Sequence, residues 1–191
     1  MKVIGINGSA RKDGNTAILI RTVFQELEQE GIETELIQLA GKKIKGCLAC
    51  YKCSENKDQR CSVRNDALNE CLEKMIEADG IILGSPTYFS DMTSEMKALI
   101  DRAGMTGMSN GGLFRRKVGA AVTVARRAGA IHTFDSINHF FFISQMIVPG
   151  SSYWNLGIGR EKGDVERDEE GLGTMKNLGQ NMAWLLKKIH S

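Results

Sequence analysis

The sequence lacks the features that mark membrane-bound, secreted or nucleic-acid-binding proteins. No apolar run approaches the length of about 18 residues that a membrane-spanning helix requires, and no segment resembles a signal peptide. The formal net charge of +2 on 191 residues is too small to predict binding to nucleic acid or to a membrane surface. We therefore expect a cytoplasmic protein whose five cysteines are thiols or metal ligands rather than disulfides.

Histidine clusters and the two commonest nucleotide-binding motifs are also missing. The three histidines do not have the spacing of metal ligands. The first loop is not a Walker A motif, because five residues separate Gly8 from Gly14 and Asn15 occupies the lysine position. The same loop contains no G-x-G-x-x-G, so a dinucleotide fingerprint is absent. No acid–base pair or nucleophile stands out, which favours chemistry carried by a cofactor.

The residues that are present in this loop favour phosphate binding. The apolar run Val3–Ile6 leads into a turn rich in glycine and hydroxyl groups, and an amphipathic helix follows. Backbone N–H groups converge on an anion at such a turn, and the helix start adds partial positive charge. The side-chain donors suit a phosphate monoester such as that of FMN, and they are Ser9, Arg11, Asn15 and Thr16. The alternative is a plain helix cap at Asn15 or Thr16, which is compatible with phosphate binding.

Apolar runs alternate with helical patterns along the chain, as they do in βαβ units around a parallel sheet. The expected strands are Val3–Ile6, Thr34–Ile37, Gly80–Leu83, Val118–Val124 and Met146–Val148. The expected helices are Thr16–Gln29, Ala67–Glu77, Ser94–Arg102, Ile131–Ser144 and a last one near Gly171–Ile189. The charged segment Glu161–Glu170 is expected to be a solvated loop.

This pattern predicts an α/β fold of the flavodoxin-like type. Residues 1–191 are expected to form one three-layer domain, with a five-stranded parallel sheet in the order 2-1-3-4-5 and helices on both faces. In that order a ligand binds between strands 1 and 3, where the strand order reverses. The phosphate-binding loop leaves strand 1 and the Gly84–Phe89 segment leaves strand 3, so both are expected at one site.

Two motifs resemble the NADPH-dependent FMN reductase family of flavodoxin-like proteins. They are Gly8-Ser9-Ala10-Arg11 through Asn15-Thr16, and Gly84-Ser85-Pro86-Thr87-Tyr88-Phe89. A cysteine cluster makes the chain similar, more narrowly, to the iron–sulfur flavoproteins of that family. The resemblance runs from Met1 to about Pro149 and is specific in the two motif loops.

The resemblance implies that two further loops contact the flavin. Pro86 is expected to fix the backbone so that the N–H groups of Thr87 and Tyr88 point at the ring edge, while Tyr88 or Phe89 offers an apolar surface. After the fourth strand, Arg126 or Arg127 is expected near the N1–C2=O region, where a cation stabilises the anionic reduced flavin, with Gly129 in the same loop. Plain turns are the alternatives for both segments.

The cysteine-rich loop, at about residues 45–65, has the spacing Cys47-x₂-Cys50-x₂-Cys53-x₇-Cys61. Four cysteines are the ligand count of a [4Fe–4S] cluster, and the iron–sulfur flavoproteins carry such an arrangement after strand 2. A zinc site and a redox-active thiol pair are the alternatives. Cys71 falls in a predicted helix and is expected in the core.

We therefore expect an FMN-dependent oxidoreductase that uses NAD(P)H to reduce a quinone, a flavin or another small acceptor. The alternative is an iron–sulfur flavoprotein that relays electrons between a ferredoxin-like partner and FMN. A non-catalytic flavin-binding regulator is a third class. We also expect a homodimer or homotetramer, with Phe140–Phe142 and Met105–Met108 supplying the subunit contact.

Overall fold

The computed structural model describes residues 1–191 and contains a single five-stranded sheet. Its parallel strands follow the order β2-β1-β3-β4-β5. The strands are β1 (Lys2–Asn7), β2 (Glu33–Gln38), β3 (Gly80–Pro86), β4 (Val118–Ala125) and β5 (Leu156–Ile158). This order confirms the predicted flavodoxin-like topology, in which β1 and β3 are neighbours and their following loops lie at the same edge.

Two helices cover one face of the sheet. They are α1 (Asn15–Gln29) and α6 (Glu169–Ile189), and a short 3₁₀ helix (Asp164–Arg167) precedes α6. Apolar residues of α1 recur at helical spacing, so Leu19, Ile20 and Val23 all face the strands. They share one core with Leu178 of α6 and with Ile82 of β3. This packing fixes the position of the α1 start, where the predicted phosphate-binding motif lies.

The other face is covered by α3 (Leu68–Glu77), α4 (Ser94–Ser109) and α5 (Ala130–Ile143). A second core joins these helices to the opposite side of the strands, as the alternation of strand side chains requires. Met96, Leu99 and Ile100 of α4 point inward, as predicted, and α4 continues seven residues beyond the predicted end at Arg102. A short helix, α2 (Lys52–Asn56), lies inside the cysteine-rich loop and was not predicted.

The predicted fifth strand was wrong. In Met146–Val148 only Ile147 makes an isolated bridge, to Val118 at the start of β4, and Pro149 follows with no N–H group to donate. The fifth strand is instead Leu156–Ile158, which pairs with the carboxyl half of β4. Its central Gly157 makes the segment unpromising as a strand. However, a Cβ there would lie 2.7 Å from a terminal methyl group of Leu19, so glycine at this position leaves room for the close packing of α1.

None of the helices combines the length and the apolar character that crossing a bilayer would require.

Candidate functional site

The turn between β1 and α1 presents unpaired N–H groups at the carboxyl edge of the sheet. Gly14 occupies the cap position of α1 and offers no side chain to the first turn. The backbone N–H groups of Asn15, Thr16 and Ala17 have no acceptor within the protein, although all three residues are buried. Buried donors without partners are costly. The start of α1 is therefore suited to an anion from outside the chain.

Internal hydrogen bonds fix the shape of this turn. The Asn7 side-chain oxygen accepts from the N–H of Ser9 at 3.0 Å, and the Ser9 hydroxyl accepts from the N–H of Arg11 at 3.1 Å. Thr93, which caps α4, donates its hydroxyl to the Gly8 carbonyl at 2.9 Å. The turn is therefore held against the start of α4 before any ligand arrives.

The segment between β5 and α6 closes one side of the turn. Arg11 donates from Nη1 to the Arg160 carbonyl at 2.8 Å. Asn15 donates from Nδ2 to the Glu161 carbonyl and accepts from the Gly163 N–H, both at 2.8 Å. The backbone N–H groups of Glu161 and Arg160 donate to Asp164, and they hold the pKa of that carboxyl below its usual range. This segment, predicted as a solvated loop, is thus hydrogen-bonded to the turn between β1 and α1.

The segment after β3 forms a tight turn beside the same site. The N–H of Thr87 donates to the Val124 carbonyl at 2.7 Å, and Tyr88 exchanges backbone hydrogen bonds with Asp91. The prediction that the Thr87 and Tyr88 N–H groups point at a flavin ring is therefore wrong for this structure, because both already have backbone acceptors. Phe89, at the tip of the turn, is fully exposed with a positive φ of 50°.

The segment after β4 lies against that turn. Arg126 is exposed and lines the cleft. Gly129 does not line it, but a Cβ at Gly129 would lie 2.9 Å from the Ser90 hydroxyl, and its φ of 87° is one that other residues rarely adopt. Glycine therefore allows the two turns to pack together. The hydroxyls of Thr133 and Thr87 add a hydrogen bond of 3.3 Å across this contact.

These elements enclose one cleft with a strongly positive lining. Its residues are Ser9, Arg11, Asn15, Thr16, Pro86, Thr87, Tyr88, Val124, Arg126, Gly159, Arg160 and Lys162. Eight of the ten predicted cofactor-binding residues are among them, while Phe89 and Gly129 are not. Four lining side chains are basic and none is acidic, so the cleft favours an anionic ligand. Sequence reasoning missed Arg160 and Lys162, because nothing in their spacing connects them to the first loop.

A second cleft brings the four predicted cysteine ligands together. Cys47, Cys50, Cys53 and Cys61 all line it and all are free thiols. No three of the potential ligand side chains converge on one metal ion. In a cubane, however, each cysteine binds a different iron, so four thiolates must surround a volume rather than share one point. The donor set and its placement around one cleft therefore fit a [4Fe–4S] cluster.

The thiols of this cleft differ in exposure and in hydrogen bonding. Cys47 and Cys50 are exposed, while Cys53 is buried. A hydrogen bond with the Ser62 hydroxyl is the main reason why the pKa of the Cys50 thiol is lowered. Arg102 of α4 is buried at the base of the cleft and directs two of its nitrogens at the Cys61 sulfur.

The chain resembles known proteins over nearly its whole length. The sequence pattern of NADPH-dependent FMN reductases matches residues 1–161. The chain belongs to this family. It is 43% identical over 196 residues to an iron-sulfur flavoprotein of Methanocaldococcus jannaschii, and the alignment covers 99% of each chain. It is 33% identical over 191 residues to an iron-sulfur flavoprotein of Methanosarcina thermophila, with 99% of this chain and 97% of that protein covered.

Two solved structures superpose on this member of the FMN reductase family. RosB with bound 8-demethyl-8-formylriboflavin-5'-phosphate superposes with a TM-score of 0.78 at 21% identity. The alignment covers 100% of this chain and 80% of the RosB chain. An archaeal flavodoxin superposes with a TM-score of 0.63, also at 21% identity, over 98% of this chain and 99% of that one. At this identity the two structures support the flavodoxin-like fold alone.

Proposed function

We propose that this protein is an FMN-dependent oxidoreductase and that the β1–α1 turn binds the FMN phosphate. The observation that carries the proposal is the uncapped start of α1, where three buried N–H groups lack acceptors. The four basic side chains around the same cleft supply the charge that a phosphate monoester needs.

The remaining lining residues are assigned to the rest of the cofactor. Bound FMN supplies the redox chemistry by accepting and releasing electrons at its ring. Pro86 and Tyr88 offer the apolar surface for that ring, and Arg126 supplies a cation beside it. Arg11 and Asn15 hold Arg160 and Lys162 near the phosphate through the 159–163 segment. Tyr88 is half-exposed, so the part of the cleft that it lines is accessible to a reaction partner.

A comparison of FMN with riboflavin tests the phosphate assignment, because the two differ only in that group. We expect FMN to bind the wild-type protein more tightly than riboflavin does. Ser9→Ala should weaken FMN by about 1–3 kcal/mol, typical of a hydrogen bond to a charged group, and should change riboflavin affinity little. Ser94→Ala is the matched control, because this exposed serine begins α4 outside the cleft. Equal affinities for FMN and riboflavin would contradict the assignment.

We further propose that Cys47, Cys50, Cys53 and Cys61 hold a [4Fe–4S] cluster, so that electrons pass between this cluster and FMN. The supporting observation is that four free thiols line a single cleft. The relatives named as iron-sulfur flavoproteins match nearly the whole chain and support the same assignment. The competing proposal is an NAD(P)H-linked reductase without a cluster, which the match to the FMN reductase family supports.

The choice of electron donor separates these two proposals. Anaerobic protein is mixed with NADPH, NADH or a reduced ferredoxin, and bleaching of the flavin absorbance is followed. Rapid reduction by ferredoxin and none by the pyridine nucleotides would support the relay. Rapid turnover with NADPH in Cys50→Ser as well as in the wild-type protein would support the reductase.

A further inference from the structure

Arg102 is a buried cation that the proposed chemistry has not yet used. Its side chain is 1% exposed and lies below the cysteine cleft. Nη1 donates to the fully buried carboxylate of Asp66 at 2.5 Å and to the Lys45 carbonyl at 3.0 Å. Nη2 donates to the Val63 carbonyl at 3.1 Å. These contacts fix the plane of the guanidinium group.

The remaining donors of Arg102 meet a single sulfur atom. Nε lies 3.4 Å and Nη2 lies 3.3 Å from the Cys61 Sγ, so one edge of the guanidinium forms a fork around it. Sulfur is a weak hydrogen-bond acceptor, and its partners here are two donors of one buried cation. A buried arginine is stable only when its charge and its donors are matched. The Cys61 sulfur thus completes the set of acceptors around the Arg102 guanidinium.

The backbone of Cys61 is held as firmly as its side chain. Its N–H donates to the Asn69 side-chain oxygen at 2.8 Å, and Asn69 donates from Nδ2 to the Cys61 carbonyl at 2.9 Å. Cys47 and Cys50 lie instead on an exposed stretch of chain outside any helix or strand. Hydrogen bonds thus hold both the backbone and the sulfur of Cys61 in place.

We infer that Arg102 is a positioning residue for the proposed cluster, acting through Cys61. It orients this sulfur as a fixed ligand, and its hydrogen bonds stabilise the negative charge that one-electron reduction adds to the cluster. Hydrogen bonds to cluster sulfurs are among the factors that set reduction potentials. Arg102 therefore raises the reduction potential and slows the loss of the cluster. This inference rests on the proposed [4Fe–4S] site.

The test compares Arg102→Met, Arg102→Lys and a control, Lys188→Met, in reconstituted anaerobic protein. Lys188 is exposed in the last turn of α6, on the opposite face of the sheet from α4, so its loss changes the net charge equally without contact to the cysteine cleft. We expect a more negative midpoint potential for Arg102→Met and iron loss to a chelator that is about tenfold faster, the lower end of effects at ligand-supporting residues. Arg102→Lys should fall between it and the wild-type protein, and Lys188→Met should match the wild-type protein.

Removing Arg102 leaves Asp66 buried without its partner, so Arg102→Met/Asp66→Asn is measured in parallel to preserve folding. The same shift in both Arg102→Met backgrounds would support the inference. A wild-type protein with four irons whose potential and iron loss are unchanged by both substitutions would overturn the role of Arg102 and leave the cluster intact. A wild-type protein without iron would overturn the cluster itself and the inference with it.

Discussion

At the scale of single residues, position in the fold separates Cys71 from the other four cysteines, which line one cleft. Cys71 lies on the inward face of α3 and is completely buried in the core, as its place in a predicted helix suggested. Burial raises the pKa of its thiol from 9.0 to about 11. Cys50, by contrast, is exposed and has a lowered pKa. Cys71 is therefore a packing residue, and the proposed sulfur chemistry involves the other four.

The raised pKa of Cys71 predicts a loss of stability at alkaline pH. The unfolded chain releases this proton near pH 9, whereas the folded protein keeps it until about pH 11, so the free energy of unfolding falls as pH rises through this window. This difference between the folded and unfolded pKa of Cys71 corresponds to a loss of at most about 3 kcal/mol in the free energy of unfolding. Urea unfolding from pH 8 to 11 should show a shallower decline for Cys71→Ala than for the wild-type protein. Parallel curves would show that another group is responsible.

At the scale of elements, the sequence predicted structure well wherever a motif coincided with strong periodicity. The α1 pattern lies on one face of a helix, and the predicted start of α1 differs from the observed one by a single residue. The fifth strand was missed because Gly157 satisfies a packing demand from Leu19, which only the folded structure reveals. A three-residue strand also carries too little pattern to outweigh the apolar run at Met146–Val148.

The proposed cofactor site shows the same limit. Residues close together in sequence, such as Ser9 and Arg11, were predicted from their loop, and both line the cleft. The contribution of residues 159–163 depends on contacts with Asn15 across 146 and 148 positions of sequence, and a single sequence contains no signal for such contacts. The N–H groups of Thr87 and Tyr88 were misassigned for a related reason, because their backbone acceptors are defined by the turn geometry.

The hydrogen bonds between Asn15 and the 159–163 segment lead to a prediction. Asn15→Ala removes both side-chain hydrogen bonds to the 159–163 segment and frees Arg160 and Lys162 from the cleft. We expect FMN to bind about tenfold more weakly, in line with the loss of one or two hydrogen bonds near a charged group. Amide hydrogen exchange at Gly163 should accelerate in the same variant.

Asn181→Ala serves as the control for Asn15→Ala. This asparagine also donates to a backbone carbonyl, that of Gly150, but at a position outside the cleft. Its loss should leave FMN affinity unchanged. Weakened FMN binding without faster exchange at Gly163 would show that Asn15 contacts the ligand directly and does not act through the segment.

At the scale of the whole molecule, the predicted subunit contact needs revision. Phe140 and Phe141 are buried in the core, so of the Phe140–Phe142 segment only Phe142 is available, at 63% exposure. Ile143 is 64% exposed and Met108 is 57% exposed. In and beside the two predicted contact segments, these three side chains on α4 and α5 are exposed and available for the proposed homo-oligomer.

The revised surface predicts that Phe142→Ser with Met108→Ser shifts the protein toward monomer. The reason is that both substitutions remove apolar area that association would bury. Sedimentation equilibrium at micromolar concentration measures the change, and Trp184→Ser, an exposed aromatic on α6, is the control. A wild-type protein that is already monomeric would contradict the prediction of a homodimer or homotetramer.

The cofactor content of protein purified without oxygen tests the proposed function most directly. Flavin, iron and sulfide are measured per chain in the wild-type protein and in Cys50→Ser. We predict one FMN and about four irons in the wild-type protein, with the iron lost and the FMN retained in the variant, because the two clefts are separate. Less than one iron per wild-type chain, with activity unchanged in Cys50→Ser, would contradict the proposed cluster, and absence of FMN would contradict the proposed oxidoreductase function.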